Sequence, residues 1–174
     1  MLYLQLDESI EEIIKKYAPA LTTIGVDFFN SEVEETIYYC SQDMEDAFRS
    51  TISYWHYKQN HGKDFGSPNN FLIKALRENW HPYEWDDKWM ENRMFKSAGM
   101  KWLDEVEINW GRDKCNYLVA DIQETILGTR ATIIFRSGRN IYLREVSRMT
   151  WEDLLEYAQG RDKRFISKNT KLSN

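Results

Sequence analysis

Apolar residues recur at helical spacing along the first part of the chain, between short polar breaks. Isoleucine and tyrosine side chains follow this spacing after Asp7, which predicts a first helix through about Lys16. The dipeptide Ala18-Pro19 is expected to end this helix, because proline lacks the N–H that a helix interior uses.

Two further helices are predicted before residue 62. Ser31 followed by Glu34 matches a capping box, which predicts the start of the second helix. Asp43 precedes a broad apolar stripe from Met44 to Trp55, which predicts the third helix, and Gly62 ends it.

A fourth helix is predicted to begin at Pro68, where the missing N–H has no consequence in a first turn. Its apolar face consists of Phe71, Leu72, Ala75, Leu76 and Trp80. Pro82 prevents its continuation.

The pattern changes in the second half of the chain. Residues 83–110 are rich in tryptophan and charge and predict one or two helices, whereas residues 117–126 fit either period. Residues 129–135 and 141–146 are β-branched and apolar around a turn-forming segment, which predicts a β-hairpin. Thr150 is expected to cap a last helix that Gly160 ends.

These elements predict an α+β protein with a mainly helical body, a C-terminal β-hairpin and a terminal helix. The expected divisions are a helical body over residues 1–110, a hairpin-plus-helix subdomain over 111–160 and a basic, flexible tail over 161–174.

Composition is typical of a globular chain, with 42% hydrophobic and 29% charged residues in a length of 174. The first residues lack the basic region and long apolar stretch of a signal peptide, and no segment approaches a membrane span. Cys40 and Cys115 lie far apart in no metal or redox spacing. We therefore expect a cytoplasmic protein without membrane contact.

No pattern in the sequence predicts catalysis. Its glycines are scattered, and no P-loop, GxGxxG or GxSxG motif is present. His56 and His61 are five residues apart, which predicts different helical faces and no metal site. Acidic clusters near Glu84 and Asp104 lie among lysines, as on a solvated helix surface. We expect a protein that is not an enzyme and has no catalytic residue, metal or cofactor.

Charge is distributed unevenly along the chain. Residues 1–129 contain 13 Lys and Arg against 23 Asp and Glu, whereas residues 130–174 contain 10 against 5. The predicted hairpin carries arginine and no lysine, and guanidinium groups suit bidentate contacts with phosphate or base edges. The predicted nucleic-acid-binding residues are Arg130, Arg136, Arg139, Arg144 and Arg148. Three alternatives explain the same charges. They are protection of exposed strand edges, docking to an acidic protein, and pairing with the acidic half of a second copy.

One segment resembles a known protein module. Three pieces occur in order between about residue 21 and residue 80. They are Leu21-Thr22-Thr23-Ile24-Gly25-Val26, the amphipathic third helix, and Phe71-Leu72-Ile73-Lys74-Ala75-Leu76-Arg77-Glu78-Asn79-Trp80. They resemble the C-terminal helical module of bacterial and plasmid replication-initiator proteins, with its "FLIxAIRExW" run. The resemblance covers about a third of the chain, in a module that would extend over residues 21–85, and implies a role in replication or plasmid maintenance.

A weaker similarity involves the same helix. Leu72, Leu76 and Trp80 have the spacing of the YxxxIxxxW helix in DnaD-like primosome proteins, which implies contact with single-stranded DNA and protein partners. Leu72 stands at the tyrosine position, so the aromatic ring that would stack on a base is missing.

Together these features predict a non-enzymatic accessory protein of DNA replication or of a mobile element. Its hairpin would contact nucleic acid, and its helical body would contact a protein partner or a second copy. The predicted partner-binding residues are Leu72, Leu76, Trp80, Trp85 and Trp89. The alternative is a protein–protein adaptor or regulatory factor without nucleic-acid contact, which predicts an exposed aromatic patch around residues 80–89.

Overall fold

A computed structural model describes residues 6–161, which form two compact units. Unit 1 comprises residues 6–97 together with Ile126–Gly128, and unit 2 comprises Ala98–Thr125 and residues 129–161. The described residues contain eight α-helices and one small antiparallel sheet. The predicted fold class, a mainly helical α+β protein, is confirmed.

Unit 1 consists of helices around an apolar core. Its elements are α1 (Glu8–Ile24), α2 (Ser31–Tyr39), α3 (Met44–Asn60), α4 (Pro68–Arg77) and two 3-10 helices, Asp87–Glu91 and Arg93–Phe95. Helix α3 packs against α1 and α4, and α4 also packs against α2. The largest fully buried side chains of this core include Tyr17, Phe48, Leu72 and Leu76.

Helix α1 continues past the proline that was predicted to end it. Pro19 lies inside the helix, which runs to Ile24. A proline in a helix interior costs about 3 kcal/mol. Continuing the helix buries Leu21 and Ile24 in the core, and burying each such side chain is worth about 1.5–3 kcal/mol. The apolar face therefore outweighs the proline, and α1 ends only at Gly25, whose φ of 110° is left-handed.

The starts of α2 and α4 show how side chains cap these helices. Asn30, one residue before the predicted Ser31, accepts hydrogen bonds from the backbone N–H groups of Glu32 and Val33. Helix α4 begins at Pro68 as predicted, and the Ser67 hydroxyl accepts a hydrogen bond at this end.

A polar network joins α1 to α3 in unit 1. The buried Tyr17 hydroxyl donates to Glu45 at 2.7 Å, and Arg49 Nε donates to the same hydroxyl at 2.9 Å. Burial raises the pKa of Tyr17, and its hydrogen bond to Glu45 acts in the same direction. Burial opposes the ionisation of Glu45, but hydrogen bonds from Tyr17 and Lys16 and the charge of Arg49 outweigh it and lower the pKa.

Unit 2 places helices against a three-stranded antiparallel sheet. Its elements are α5 (Ala98–Trp110), α6 (Arg112–Leu118), β1 (Val119–Glu124), β2 (Ala131–Phe135), β3 (Asn140–Tyr142), α7 (Leu143–Val146) and α8 (Trp151–Ala158). The strand order is β1-β2-β3. The predicted hairpin is confirmed as β2–β3, but the second strand stops at Tyr142 because the chain turns into α7.

Residues 117–126, which fit either period in the sequence, include the end of α6 and the whole of β1. Leu118 still belongs to α6, and the following strand carries a bulge between Val119 and Asp121. A bulge shifts which side chains face the core, so alternation along the strand is lost. Thr150 caps α8 as predicted, since its hydroxyl accepts from Asp153 N–H at 3.1 Å.

Helix α5 approaches β1 closely at Gly99. The Gly99 N–H donates to the Glu124 carboxylate at 3.0 Å. A Cβ atom at residue 99 would lie 2.7 Å from Ile122 Cγ2 and 2.9 Å from Glu124 Oε1. Both distances are shorter than ordinary van der Waals contact, so the absence of a side chain is what allows the helix to lie here.

Helix α5 belongs to unit 2, where Trp102, Val106 and Trp110 enter the core, whereas the sequence-based division placed it in the helical body. The predicted tail lies outside the described residues except for Arg161. Both cysteines are free thiols. In residues 6–161, no helix combines the length and apolar composition needed to cross a membrane.

Candidate nucleic-acid interface

The sheet of unit 2 has one face in the core and one face toward solvent. Ala131, Ile133 and Phe135 of β2 are buried, and Ile141 of β3 joins them. Strand residues alternate between faces, so the side chains between them point the other way. Helices α5 and α7 pack on β2, and their apolar residues share a core with its inward side chains.

The outward-facing residues form two rows across the strands. Gln123 of β1, Thr132 of β2 and Tyr142 of β3 make one row, and Asp121, Ile134 and Asn140 make the other. Cross-strand neighbours have Cβ atoms about 5 Å apart. We call this surface the outer sheet face.

Three of the predicted arginines flank the strands of this sheet. Arg130 directly precedes β2, Arg136 lies in the turn directly after it, and their separation of six residues corresponds to about 20 Å of extended chain. Arg144 lies in α7, which follows β3, and its guanidinium lies 5.4 Å from the centre of the outward-facing Tyr142 ring. All three side chains are exposed, and Tyr142 is 50% exposed.

These three guanidinium groups form no ion pair with a carboxylate among the described residues. In unit 1, by contrast, two arginines do form ion pairs with carboxylates: Arg49 pairs with Glu45 and Arg77 pairs with Glu32, each at 3.0 Å. Arg136 Nε donates to the Asn116 carbonyl oxygen at 3.1 Å, which orients its side chain without neutralising its charge.

Arg139, also predicted to bind nucleic acid, instead contacts the end of α8 within unit 2. Its guanidinium lies 5.0 Å from the centre of the Tyr157 ring and donates to the carbonyl oxygens of Tyr157 and Gly160, each at 3.4 Å. These carbonyls lie at the C-terminal end of α8, where a cation is favourable. Arg148 is exposed but follows α7, apart from the strands.

The predicted partner-binding residues divide into two groups. Leu72 and Leu76 are at most 1% exposed in the core of unit 1, so the prediction that they contact a partner is wrong. They pack inward because α4 contacts both α2 and α3. Trp80, Trp85 and Trp89 are partly exposed.

The half-buried tryptophans already have partners within unit 1. The Trp80 indole N–H donates to Glu78, and that of Trp85 donates to Asp87, each at 2.8 Å. The Trp89 ring stacks on His56 with the ring centres 4.5 Å apart. Tyr83, between them in sequence, is fully exposed at 103%.

The sequence did not predict a pocket of about 550 Å³ in unit 1, which we call the aromatic pocket. Its aromatic side chains are Tyr54, Tyr57, Phe71, Trp80, Tyr83 and Trp89. All three histidines of the chain, His56, His61 and His81, also line it, although His56 and His61 were predicted on different faces. Residues 50, 54, 57 and 61 follow helical spacing in and just after α3, and this spacing could have predicted that they line one side of a pocket.

The three histidines of the aromatic pocket are not grouped as metal ligands in the part of the chain that the structure describes. Among residues 6–161, no group of three histidine, cysteine or acidic side chains is arranged to hold a metal ion. The imidazole Nδ1 atoms of His61 and His81 are already engaged, with the Tyr57 carbonyl oxygen and the Asp46 carboxylate. A concave site with polar groups is nevertheless present, so the absence of enzymatic activity stays a prediction.

Comparisons with protein-family models, with curated proteins and with solved structures found no match to this chain. The resemblance to a replication-initiator module therefore stays a prediction.

Proposed function

We propose that this is a non-enzymatic accessory protein that contacts nucleic acid through the outer sheet face of unit 2. The observation that carries this proposal is that Arg130, Arg136 and Arg144 flank the strands of this sheet, are exposed and have no carboxylate partner among the described residues. These unpaired guanidinium groups carry positive charge on a protein whose net charge is −5, and contact with phosphate would explain their presence.

The chemistry of the surface between the arginines supports a single strand. Tyr142 offers an exposed ring for stacking on a base, while Gln123, Thr132 and Asn140 offer hydrogen-bonding groups. A length of about 20 Å between Arg130 and Arg136 suits a few nucleotides of extended strand. The resemblance of residues 21–80 to initiator modules supports a role in replication or in a mobile element.

Fluorescence anisotropy with a labelled 20-nucleotide single strand and its duplex tests the proposal at low salt. We expect binding that weakens steeply as salt rises, because each phosphate contact releases counterions. Replacing two contacts in Arg130→Gln/Arg144→Gln should reduce the slope of log K against log salt by about 2. Arg112→Gln, an exposed arginine of unit 2 on α6, is the matched control and should keep the slope.

Absence of binding by either oligonucleotide at low salt would end the nucleic-acid proposal. It would leave a protein–protein adaptor as the remaining function, which the fully exposed Tyr83 ring between Trp80 and Trp85 favours. Light scattering after size-exclusion chromatography would then show whether the partner is a second copy. A mass near 20.9 kDa would exclude self-association.

A further inference from the structure

The aromatic pocket of unit 1 is lined by a carboxylate and by no lysine or arginine. Among the described residues, Glu84 is the one acidic side chain in its lining. Glu84 is exposed and forms no ion pair with another described residue. Unit 1, over residues 6–97 and 126–128, contains 10 Lys and Arg against 17 Asp and Glu, a net charge of −7. The charge of the pocket and of its surroundings therefore favours a positively charged ligand.

The aromatic rings of the pocket differ in how much surface they leave for a ligand. Tyr54 and Phe71 lie parallel at 7° with ring centres 4.6 Å apart, so they cover each other. Tyr57 is 47% exposed, Trp80 is partly exposed and Tyr83 is fully exposed, so these three rings keep accessible surface. An aromatic face attracts a cation, because the π electrons place negative charge above and below the ring.

Three rings of the pocket already attract ammonium groups of the chain itself. They are Tyr54, with Lys58 at 5.2 Å, Tyr57, with Lys63 at 5.9 Å, and Trp80, with Lys74 at 5.5 Å. None of these lysines lines the pocket. Tyr83 has neither a lysine nor another ring against it in the described part of the chain. Tyr83 and Glu84 are therefore a ring and a carboxylate that a cation from solution can reach.

We propose that the aromatic pocket binds an organic cation of the alkylammonium class. Its positive charge lies near Glu84, and its carbon atoms contact the rings of Trp80 and Tyr83. The volume of about 550 Å³ is within the range of small-molecule sites. A quaternary ammonium suits aromatic walls better than a primary one, because it has no N–H groups that need acceptors. The pocket lies wholly in unit 1, so this inference does not depend on the outer sheet face.

Titration of the full chain with choline, tetramethylammonium and 3,3-dimethylbutan-1-ol tests the ligand class. The alcohol has the shape of choline without its charge. Calorimetry and the NMR signals of the tryptophan indole N–H groups report binding, since Trp80 and Trp89 line the pocket. We expect both cations to bind and the alcohol to bind about tenfold more weakly than choline. Equal affinity for choline and the alcohol, or failure of both cations at millimolar concentration, would overturn the proposal.

Two substitutions of Tyr83 separate attraction by the ring from simple apolar contact. Tyr83→Leu keeps an apolar side chain but removes the aromatic face, so choline affinity should fall about threefold. Tyr83→Phe keeps the ring and should retain the affinity. The Tyr83 side chain is fully exposed, so neither variant should change the stability of the protein. The same choline affinity in both variants would contradict the role of the aromatic face and overturn the proposal.

The carboxylate is tested with a matched pair of neutral variants. Glu84→Gln should weaken choline binding at low salt and leave binding of the neutral alcohol unchanged, because only the cation is attracted by the charge. Glu91→Gln is the control, since Glu91 is an exposed acidic residue of unit 1 that does not line the pocket. It should keep choline affinity. Unchanged choline affinity in Glu84→Gln would overturn the proposal.

The same ammonium chemistry belongs to a free small molecule and to a trimethylated lysine of a partner protein. A peptide carrying trimethyllysine distinguishes these sources. If it binds more tightly than choline and is weakened by Tyr83→Leu, the ligand is a partner's side chain; if choline alone binds, the ligand is a free cation. Arg130→Gln/Arg144→Gln should leave choline affinity unchanged, so failure of the outer sheet face and failure of the pocket give different results.

Discussion

Replacement of Gly99 by alanine should destabilise the protein, because the steric clash of the new Cβ costs more than the gain in helix propensity. Alanine stabilises a helix interior by about 1 kcal/mol relative to glycine, so α5, in whose first turn Gly99 lies, would by itself gain at most this much. The new Cβ would lie 2.7 Å from Ile122 Cγ2, and Ile122 is held in β1 by its pairing with Ile133. Overpacking of this kind costs about 1–3 kcal/mol.

Glu124 adds a second penalty in the Gly99→Ala variant. Its Oε1 would lie 2.9 Å from the new Cβ, and moving it away breaks the hydrogen bond from the residue 99 N–H, a loss of about 1 kcal/mol. With a clash of about 2 kcal/mol, the steric and hydrogen-bond losses exceed the helix gain, and the net destabilisation is about 2 kcal/mol. The melting temperature should fall by about 4–8 °C.

Urea unfolding followed by tryptophan fluorescence and by circular dichroism measures this difference. The two probes must report the same transition before a single free energy of unfolding is assigned, because the chain forms two compact units. Ile108→Ala, on the exposed side of the same helix at 76% exposure, should change stability by less than about 0.5 kcal/mol. In a Glu124→Ala background, Gly99→Ala should be less destabilising, because one of the two contacts is gone. A Gly99→Ala protein as stable as the wild type would refute the close packing of α5 on β1.

Two other predictions concern unit 1. Glu45→Gln should lower stability at pH 7 by about 1 kcal/mol, since its carboxylate is about a third exposed. Because the folded pKa of Glu45 lies below 4.5, its contribution is fully present above that pH and is lost as pH falls through the folded pKa. The variant's stability should therefore depend less on acid in melts from pH 7 to pH 3, and equal acid dependence would contradict the network. Leu72→Ala should lose about 2–5 kcal/mol in urea unfolding, as expected for a core leucine, whereas Arg77→Ala on the same helix should lose less than about 1 kcal/mol. A surface-like loss for Leu72→Ala would restore it as a partner contact.

Local signals in the sequence were sufficient for several elements. The start of α4 at Pro68 and the cap of α8 at Thr150 each depend on a few neighbouring residues, so the pattern predicted them. The β2–β3 hairpin was recognisable because its apolar segments flank a turn. The continuation of α1 through Pro19 was not, because it depends on burial against helices that are distant in sequence.

The candidate sites depended even more on tertiary placement. The sequence treats all five arginines of this region alike, and only the structure shows that Arg139 reaches the carbonyls at the end of α8. The aromatic pocket combines residues of α3 and α4 with the segment after α4, so its members are adjacent in space and not in sequence.

The location of nucleic-acid contact is tested most directly by ¹H–¹⁵N NMR spectra recorded during titration with a short single-stranded oligonucleotide. Contact on the outer sheet face should shift the amide signals of Gln123, Thr132, Asn140 and Tyr142 at low salt, and these shifts should disappear in Arg130→Gln/Arg144→Gln. Shifts confined to unit 1, or no shifts at saturating oligonucleotide, would contradict the proposal that the outer sheet face binds nucleic acid.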